Sequence, residues 1–386
     1  MVAASIKWNT EMRVFIPLGM AQREKDGRSI RTLIKAIIGF FIFLPTNAPR
    51  RVVLFQGLRN QYVFQLFKKD EIYIIGSWVE RKFARANGYG FIPNFPVESA
   101  LKLAIYRGLS FFAKMILLKW QRWIKSRDVT VFVYEDTHPL GTFMVLLTDH
   151  DTSGYRAICI QHGHFPKYKH IFYPEGRLTE YNLVFDTQQI KTISNRPDKT
   201  SVVGLNYNAT ASARLDGVIS VIFLGLGSDT HYTKSINTFY RIAVALSDAF
   251  ENIEIAYRPH PNELKDSEKI DQCKCLFGRI DRTPKVDILN GPWTLFVGEA
   301  SSMLYEAKQS GHLTAFVSID PKIIPTGYHD ITICIKAIDA FVNKFRDALT
   351  YPPPLDLDRA AAGDPVSRFI SALRELRFLS MMAKND

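Results

Sequence analysis

The segment IEIAYRPHPNE, Ile253 to Glu263, alternates apolar and polar positions and then breaks at a histidine flanked by two prolines. Alternation that stops at turn residues reads as a strand, Ile253 to Tyr257. Proline fixes φ and removes a backbone donor, so Arg258-Pro259-His260-Pro261 holds a guanidinium and an imidazole on stiff backbone at the carboxyl edge of that strand. Open α/β sheets place their ligands at that edge.

Working outward, the same unit predicts strands at Val218 to Leu224, Leu295 to Val297 and Thr314 to Val317, with helices at Ile236 to Phe250 and Ser302 to Gln309. Strands alternating with helices make a parallel, doubly wound sheet. Upstream, short apolar runs at Met12 to Leu18, Val52 to Phe55, Ile72 to Ile75, Val129 to Tyr134, Ala157 to Ile160 and Leu183 to Asp186 read as buried strands, and Ser99 to Lys125 has helical spacing. Between Gly204 and Gly217 the large apolar side chains thin out, as in a linker. The expected organisation is therefore α/β: a doubly wound domain over 1–205, a linker over 206–217, a second doubly wound domain over 218–350 and a helical tail over 351–386.

A chain of 386 residues with 47% hydrophobic and 23% charged residues suits two ordinary globular domains and argues against disorder. The formal net charge of +11 points to an anionic partner. No RNA-binding signature or zinc module accompanies it, so a nucleic-acid partner is not expected. Cys159, Cys273, Cys275 and Cys334 form no CxxC pair, which supports neither a zinc site nor a disulfide framework and fits a reducing compartment. No signal-peptide pattern or run of roughly 20 apolar residues is present, and a cytoplasmic setting is expected.

Ile34 to Leu44 is too short to span a bilayer and reads as buried core. Arg107 to Arg127 and Val366 to Met382 are basic and amphipathic, compatible either with an anionic membrane surface or with packing on a sheet under snorkelling lysines.

Four further stretches carry candidate chemistry. Glu135 and Asp136 follow the strand at Val129, where a carboxylate can serve as general base, although an acidic pair in a loop is also an ordinary solvated turn. Gln161, His162, Gly163 and His164 place two imidazoles about a glycine, suited to phosphate or acceptor binding or simply to a structural loop. Gly225 and Gly227 permit close approach to a phosphate or sugar, and Asp229 beside them is a cleft carboxylate or a helix cap. Glu299, Ser301 and Ser302 sit where a strand turns into a helix, so hydroxyls and unpaired backbone N–H groups face one point, which is also the description of a plain N-cap.

Together these islands resemble the bacterial sialyltransferases and related transferases of CMP-activated ulosonic acids. Glu135 and Asp136 match the acidic motif, His260 and Pro261 the HP motif, and Ser301 with Ser302 the serine pair. The match covers short islands over about half the chain, and the acidic motif lacks its immediate glycine, since Thr137 to Leu140 intervene before Gly141. The resemblance implies a GT-B fold, two Rossmann-like doubly wound domains facing each other across a cleft. It further implies transfer of sialic acid, Kdo or a related sugar from a CMP donor to a bacterial capsule or lipopolysaccharide glycan, without a metal. His260 would then meet the leaving phosphate. Arg258, Gly225, Gly227, Glu299, Ser301 and Ser302 would bind the nucleotide, and Asp136 or Glu135 would act as base. Asp229 is the carboxylate to watch if a retaining Kdo transferase is the closer match. Gln161-His162-Gly163 with the HP and serine motifs is also similar to the CDP-glycerol glycerophosphotransferases. A non-catalytic basic binding protein is the reading from another class.

Overall fold

The computed structural model describes residues 30–41, 44–134, 139–146, 155–161, 163, 167–168, 179–193, 197–205, 208, 210–212, 218–225, 232–299, 301–319, 323–324, 329–334, 336–351 and 363–376. The chain divides into two compact units. The first comprises Met1–His162, Tyr173–Asn206 and Pro365–Asp386, the second Gly163–Phe172 and Tyr207–Asp364.

The first unit contains strands β1 (Arg51–Gln56), β2 (Ile72–Gly76), β3 (Gly90–Pro93), β4 (Asp128–Val133), β5 (Tyr155–Ile160), β6 (Tyr181–Val184) and β7 (Thr200–Val202). They pair entirely in parallel in the order β3-β2-β1-β4-β5-β6-β7. Its helices are α1 (Ile30–Phe41), α2 (Trp78–Asn87), α3 (Phe95–Arg107), α4 (Ser110–Ile124), α5 (Pro139–Leu146) and α6 (Thr187–Ile193). Because successive strand residues face opposite sides, Val52 and Leu54 enter one core with Trp120 and Phe143, while Val53 and Phe55 enter another with Phe64 and Phe132. Burial on both faces is why these strands read as continuous apolar runs. The predicted strand Met12 to Leu18 lies outside the described residues.

The second unit contains β8 (Ile219–Leu224), β9 (Ile253–Arg258), β10 (Leu295–Gly298), β11 (Leu313–Ser318) and β12 (Ile331–Cys334). These are again all parallel, in the order β9-β8-β10-β11-β12. Helices α7 (Tyr232–Ala249), α8 (Ser267–Phe277), α9 (Lys285–Leu289), α10 (Ser302–Gln309) and α11 (Ile338–Thr350) accompany them. A core of Val221, Phe223, Phe239, Tyr257, Val297 and Phe345 fills one side of the sheet. A short antiparallel pair, Lys167–Tyr168 with Ile323–Ile324, completes the unit.

Three expectations change. The helical stretch Ser99 to Lys125 is two helices, because Gly108 takes φ +67° and stops α3 before α4 begins. Ile34 to Leu44, read as buried core, is largely α1, whose Ala36 is buried but whose Ile30, Ile34, Ile37, Ile38 and Phe41 are exposed along one face. Within the region read as a helical tail, helix α12 (Pro365–Glu375) belongs to the first unit. Its Phe369 is fully buried, with its ring 5.7 Å from Phe132 and 6.1 Å from Tyr62. Arg368 donates to the carbonyls of Val203 and Leu205, and Ser201 donates to Glu375. Phe369→Ala should therefore cost about 3–5 kcal/mol in the unfolding of the first unit, read from its urea midpoint.

In the second unit His312 is a structural histidine. Its Nδ1 accepts from the Thr294 N–H at 3.3 Å, so the proton sits on Nε2, which donates to the Leu289 carbonyl at 3.1 Å. Burial pushes its pKa down to about 4 from an ordinary 6.5, against the pull of the Leu289 carbonyl. The unfolded chain therefore binds a proton below pH 6.5 that the folded chain refuses, and stability is lost as pH falls from 6.5 towards 4. The full contribution is ~3 kcal/mol. Denaturant midpoints measured across that window should fall with acid, and fall less steeply in His312→Asn.

Candidate active site

The second sheet runs second strand, first, third, fourth, fifth, so its direction of winding reverses between β8 and β10. Ligands of open α/β sheets bind outside the carboxyl ends of strands at such a point. Strand β8 ends at Leu224, just before Gly225, β9 ends at Arg258 and β10 at Gly298, so the predicted residues Gly225, Arg258, His260, Glu299, Ser301 and Ser302 all fall at this edge.

The His-Pro turn is built against Gly225. The Gly225 N–H donates to the Arg258 carbonyl at 2.8 Å, continuing the β8–β9 ladder by one bond. A side chain at 225 would meet Glu263 Oε2 at 2.2 Å, the His260 nitrogen at 2.4 Å and the Pro259 carbonyl carbon at 3.0 Å. Only hydrogen fits there.

Glu263, only 5% exposed, ties the turn together. Its Oε2 accepts from the His260 N–H at 2.9 Å and from the Tyr257 hydroxyl at 3.1 Å, while its own N–H donates back to the His260 carbonyl at 2.9 Å. The backbone of His260 is thus held from both sides.

The ring is oriented as well. His260 Nδ1 accepts from the Asn262 N–H at 3.2 Å. A nitrogen that accepts from an N–H carries no proton, so the neutral imidazole bears its proton on Nε2. Desolvation holds the pKa below the ordinary imidazole value against the opposing pull of the Glu263 carboxylate, which favours that neutral tautomer. What results is an exposed imidazole on a rigid turn, its Nδ1 occupied and its Nε2–H fixed as a donor.

Arg258 does a different job from the one its position suggested. Its Nη1 donates to Asp281 Oδ2 and, at 2.7 Å, to the Thr283 carbonyl. Asp281 is buried, and its other oxygen accepts from the Thr283 hydroxyl at 2.7 Å. This chain segment also pairs with β9, through Tyr257 N–H to the Arg279 carbonyl and Asp281 N–H to the Tyr257 carbonyl. The guanidinium therefore clamps the strand end from which the His-Pro turn departs.

After the third strand, Ser301 is the N-cap of α10, its hydroxyl accepting from the Met303 N–H at 3.3 Å, and Ser302 opens the first turn. The Ser301 hydroxyl thus has capping work of its own. Glu299 is half-buried, with its carbonyl accepting from the Ser301 N–H at 2.7 Å. Glu306, one turn into α10, pairs with Lys285 at 2.9 Å.

Gln161 lies in the first unit and is a packing residue. Its Oε1 accepts from the Phe185 N–H at 2.7 Å and its Nε2 donates to Gln189 at 2.8 Å, so both ends of the amide are engaged inside the fold. Gly163 is buried. Glu135, Asp136, His162, His164, Gly227 and Asp229 lie outside the described residues. Glu263 and Asp281 were missed from sequence. Glu263 had a signal: it follows His260 by three residues, within reach of its N–H across a tight turn.

No family model matches the chain, and no curated protein matches it in sequence. Among solved structures it is similar to UDP-N-acetylglucosamine 2-epimerase from Listeria monocytogenes, with a TM-score of 0.56 at 12% identity over 88% of this chain and 98% of that one. The UDP-GlcNAc 2-epimerase from Neisseria meningitidis bound to UDP-GlcNAc gives 0.53 at 10% identity, over 87% of this chain and 100% of that one. The MnaA protein of S. aureus, solved with UDP, gives 0.52 at 9% identity, over 88% and 99%. The chain has a GT-B type of fold. At these identities the likeness is one of fold, and the chemistry has to be argued from the edge of the second sheet.

Proposed function

We propose that this protein is a glycosyltransferase that moves an ulosonic acid, sialic acid, Kdo or a relative, from a CMP-activated donor to a hydroxyl of a bacterial surface glycan. The observation that carries the reading is the fixed Nε2–H of His260 at the carboxyl edge of the second sheet. When the anomeric C–O bond of a CMP-sugar breaks, the bonding pair stays on a phosphate oxygen and CMP departs. A pre-oriented donor at that oxygen strengthens its hydrogen bond as charge develops, which is how such groups accelerate bond cleavage. The neutral tautomer suits hydrogen bonding better than proton delivery.

Beside it, Gly225 leaves room for the His-Pro turn that carries the imidazole, and the N-terminal turn of α10 at Ser301 and Ser302 offers backbone N–H groups and a favourable dipole to a phosphate. Arg258 contributes by holding the strand end. The acceptor's proton goes to a carboxylate, for which Asp136 and Glu135 are the candidates by resemblance, with Asp229 as nucleophile should the enzyme be retaining. No metal is assigned a role, since protein donors can neutralise a monophosphate leaving group.

A peripheral site of action at the cytoplasmic face of an anionic membrane fits the net charge of +11 and the exposed apolar face of α1. No helix among the described residues is long and apolar enough to cross a membrane. Cosedimentation with phosphatidylglycerol vesicles, lost on Ile34→Glu with Ile38→Glu, tests that placement.

The donor is tested by incubating the protein separately with CMP-sialic acid, CMP-Kdo, CDP-glycerol and UDP-GlcNAc and measuring products by chromatography. CMP released from a CMP-sugar is the expected result. Release from CDP-glycerol alone would replace the reading with glycerophosphate transfer. Conversion of UDP-GlcNAc to its 2-epimer without CMP release from any donor would replace it with epimerisation.

A further inference from the structure

Helix α1 lies in an outer layer of the first unit, packed along α3 and touching α4 rather than a strand. The side it packs is small: Thr32, Ala36 and Gly39 are buried, and a Cβ at Gly39 would stand 2.4 Å from Pro96 Cβ. Its large side chains face the other way. Ile30, Ile34, Ile37, Ile38 and Phe41 recur at the spacing of a single helix face, the stripe that in most helices meets the core. All five are exposed, Ile30 by 74% and Phe41 by 65%.

Gly39 sits on Pro96 at the start of α3, and α1 lies along that helix, so the two run antiparallel and Ile30 lies toward the far end of α3. There the Gly108 turn leads into α4 and presents Leu109 and Phe111, 42% and 63% exposed. Apolar side chains are thus exposed from two elements of one helical layer, more than the scattered single residues of an ordinary surface.

The charge of that layer points to what covers it. Helices α1, α3 and α4 carry two, two and three Lys or Arg residues against one carboxylate, Glu98, which accepts from the Asn94 side chain at 2.9 Å. Arg31, Lys35 and Lys114 are exposed in the same layer. A second copy would set this basic layer against itself, since a two-fold interface pairs a patch with its own image and like charges disfavour it. An anionic bilayer satisfies both features, acyl chains taking the Ile and Phe side chains and headgroups the Lys and Arg.

We infer that α1 and the Leu109–Phe111 turn insert together into the surface of a bilayer rich in anionic lipid, two points of attachment on one helical layer. This surface rests on the reading above only for the placement at a membrane, and no step of the transfer chemistry enters it.

The test mixes the full-length protein with phosphatidylcholine vesicles that contain or lack phosphatidylglycerol, with bromine on the acyl chains as a short-range quencher of indole fluorescence. Phe41→Trp and Phe111→Trp each add an indole at one of the two points, read as the difference from the unsubstituted protein. Tyr351→Trp, at a residue 79% exposed in the second unit, is the control. The added fluorescence should be quenched at 41 and at 111 but not at 351, and binding should be about tenfold weaker, or more, without phosphatidylglycerol. Lys35→Gln with Lys114→Gln should weaken binding by about tenfold. Failure to bind phosphatidylglycerol vesicles, quenching at only one of the two points or at neither, or equal quenching at 351 overturns the inference. A dimer in light scattering that Phe41→Glu dissociates would give the face to a second copy and overturn it as well. Release of CMP from each donor is measured on the same preparations without vesicles. Its absence would count against the donor chemistry and leave the quenching result to stand or fall by itself.

Discussion

Replacing His260 by alanine should lower turnover of the CMP donor by about 100- to 1000-fold, the usual loss when one pre-oriented donor to a developing oxyanion is removed. Donor KM should change much less, because the bond is worth most when the phosphate oxygen carries its full charge. His260→Gln, which keeps a donor on a comparable reach, should recover part of the loss. The pH profile separates this role from acid catalysis. If the neutral ring is the active form, the rate stays level above pH 6.5 and falls only in acid, where protonation of Nδ1 breaks the Asn262 contact; a general acid would instead lose rate as pH rises. A fully active His260→Ala enzyme would remove the residue on which the mechanism rests.

Gly225→Ala should be nearly as damaging although the residue has no chemistry of its own. The new methyl would stand 2.2 Å from Glu263 Oε2 and 2.4 Å from the His260 nitrogen, and neither neighbour can yield as a flexible side-chain tip would. Glu263 is pinned by Tyr257 and by the His260 N–H, and His260 is bracketed by two prolines. The turn must therefore shift as a body. A displacement of about 1 Å at a catalytic group is enough to cost roughly 100-fold in rate. Steady-state kinetics on folded Gly225→Ala, with circular dichroism as the control for folding, should show a loss of at least tenfold. Unchanged kinetics would mean that the position of the His-Pro turn does not matter to the reaction.

The sequence carried the doubly wound character of both units, because parallel strands buried on both faces leave uninterrupted β-branched runs such as Val52 to Phe55 and Val129 to Val133. It carried α10 to the residue, since Ser301 is a strong N-cap placed shortly after the end of β10. Strand β12 escaped notice: Ile331 to Cys334 is four residues long at a sheet edge and alternates buried with exposed, too short a pattern to stand out. Apolar spacing in α1 was equally ambiguous, because periodicity reports a face and not whether that face has a partner. For the candidate site, His260 and Gly225 were legible from turn chemistry. The roles of Arg258 and Gln161 were not, since each is decided by a partner distant in sequence, Asp281 at 23 residues and Gln189 at 28.

The central claim is that His260 Nε2 faces the phosphate of a bound cytidine nucleotide. It is tested most directly by nitrogen-15 NMR of the histidine side chains during titration with CMP, using the signals absent from His260→Ala to identify the ring. The account predicts that Nε2 is protonated in the free protein, that its signal moves saturably as CMP binds, and that Nδ1 stays near its starting shift. Binding of CMP with the His260 Nε2 signal unmoved would contradict it.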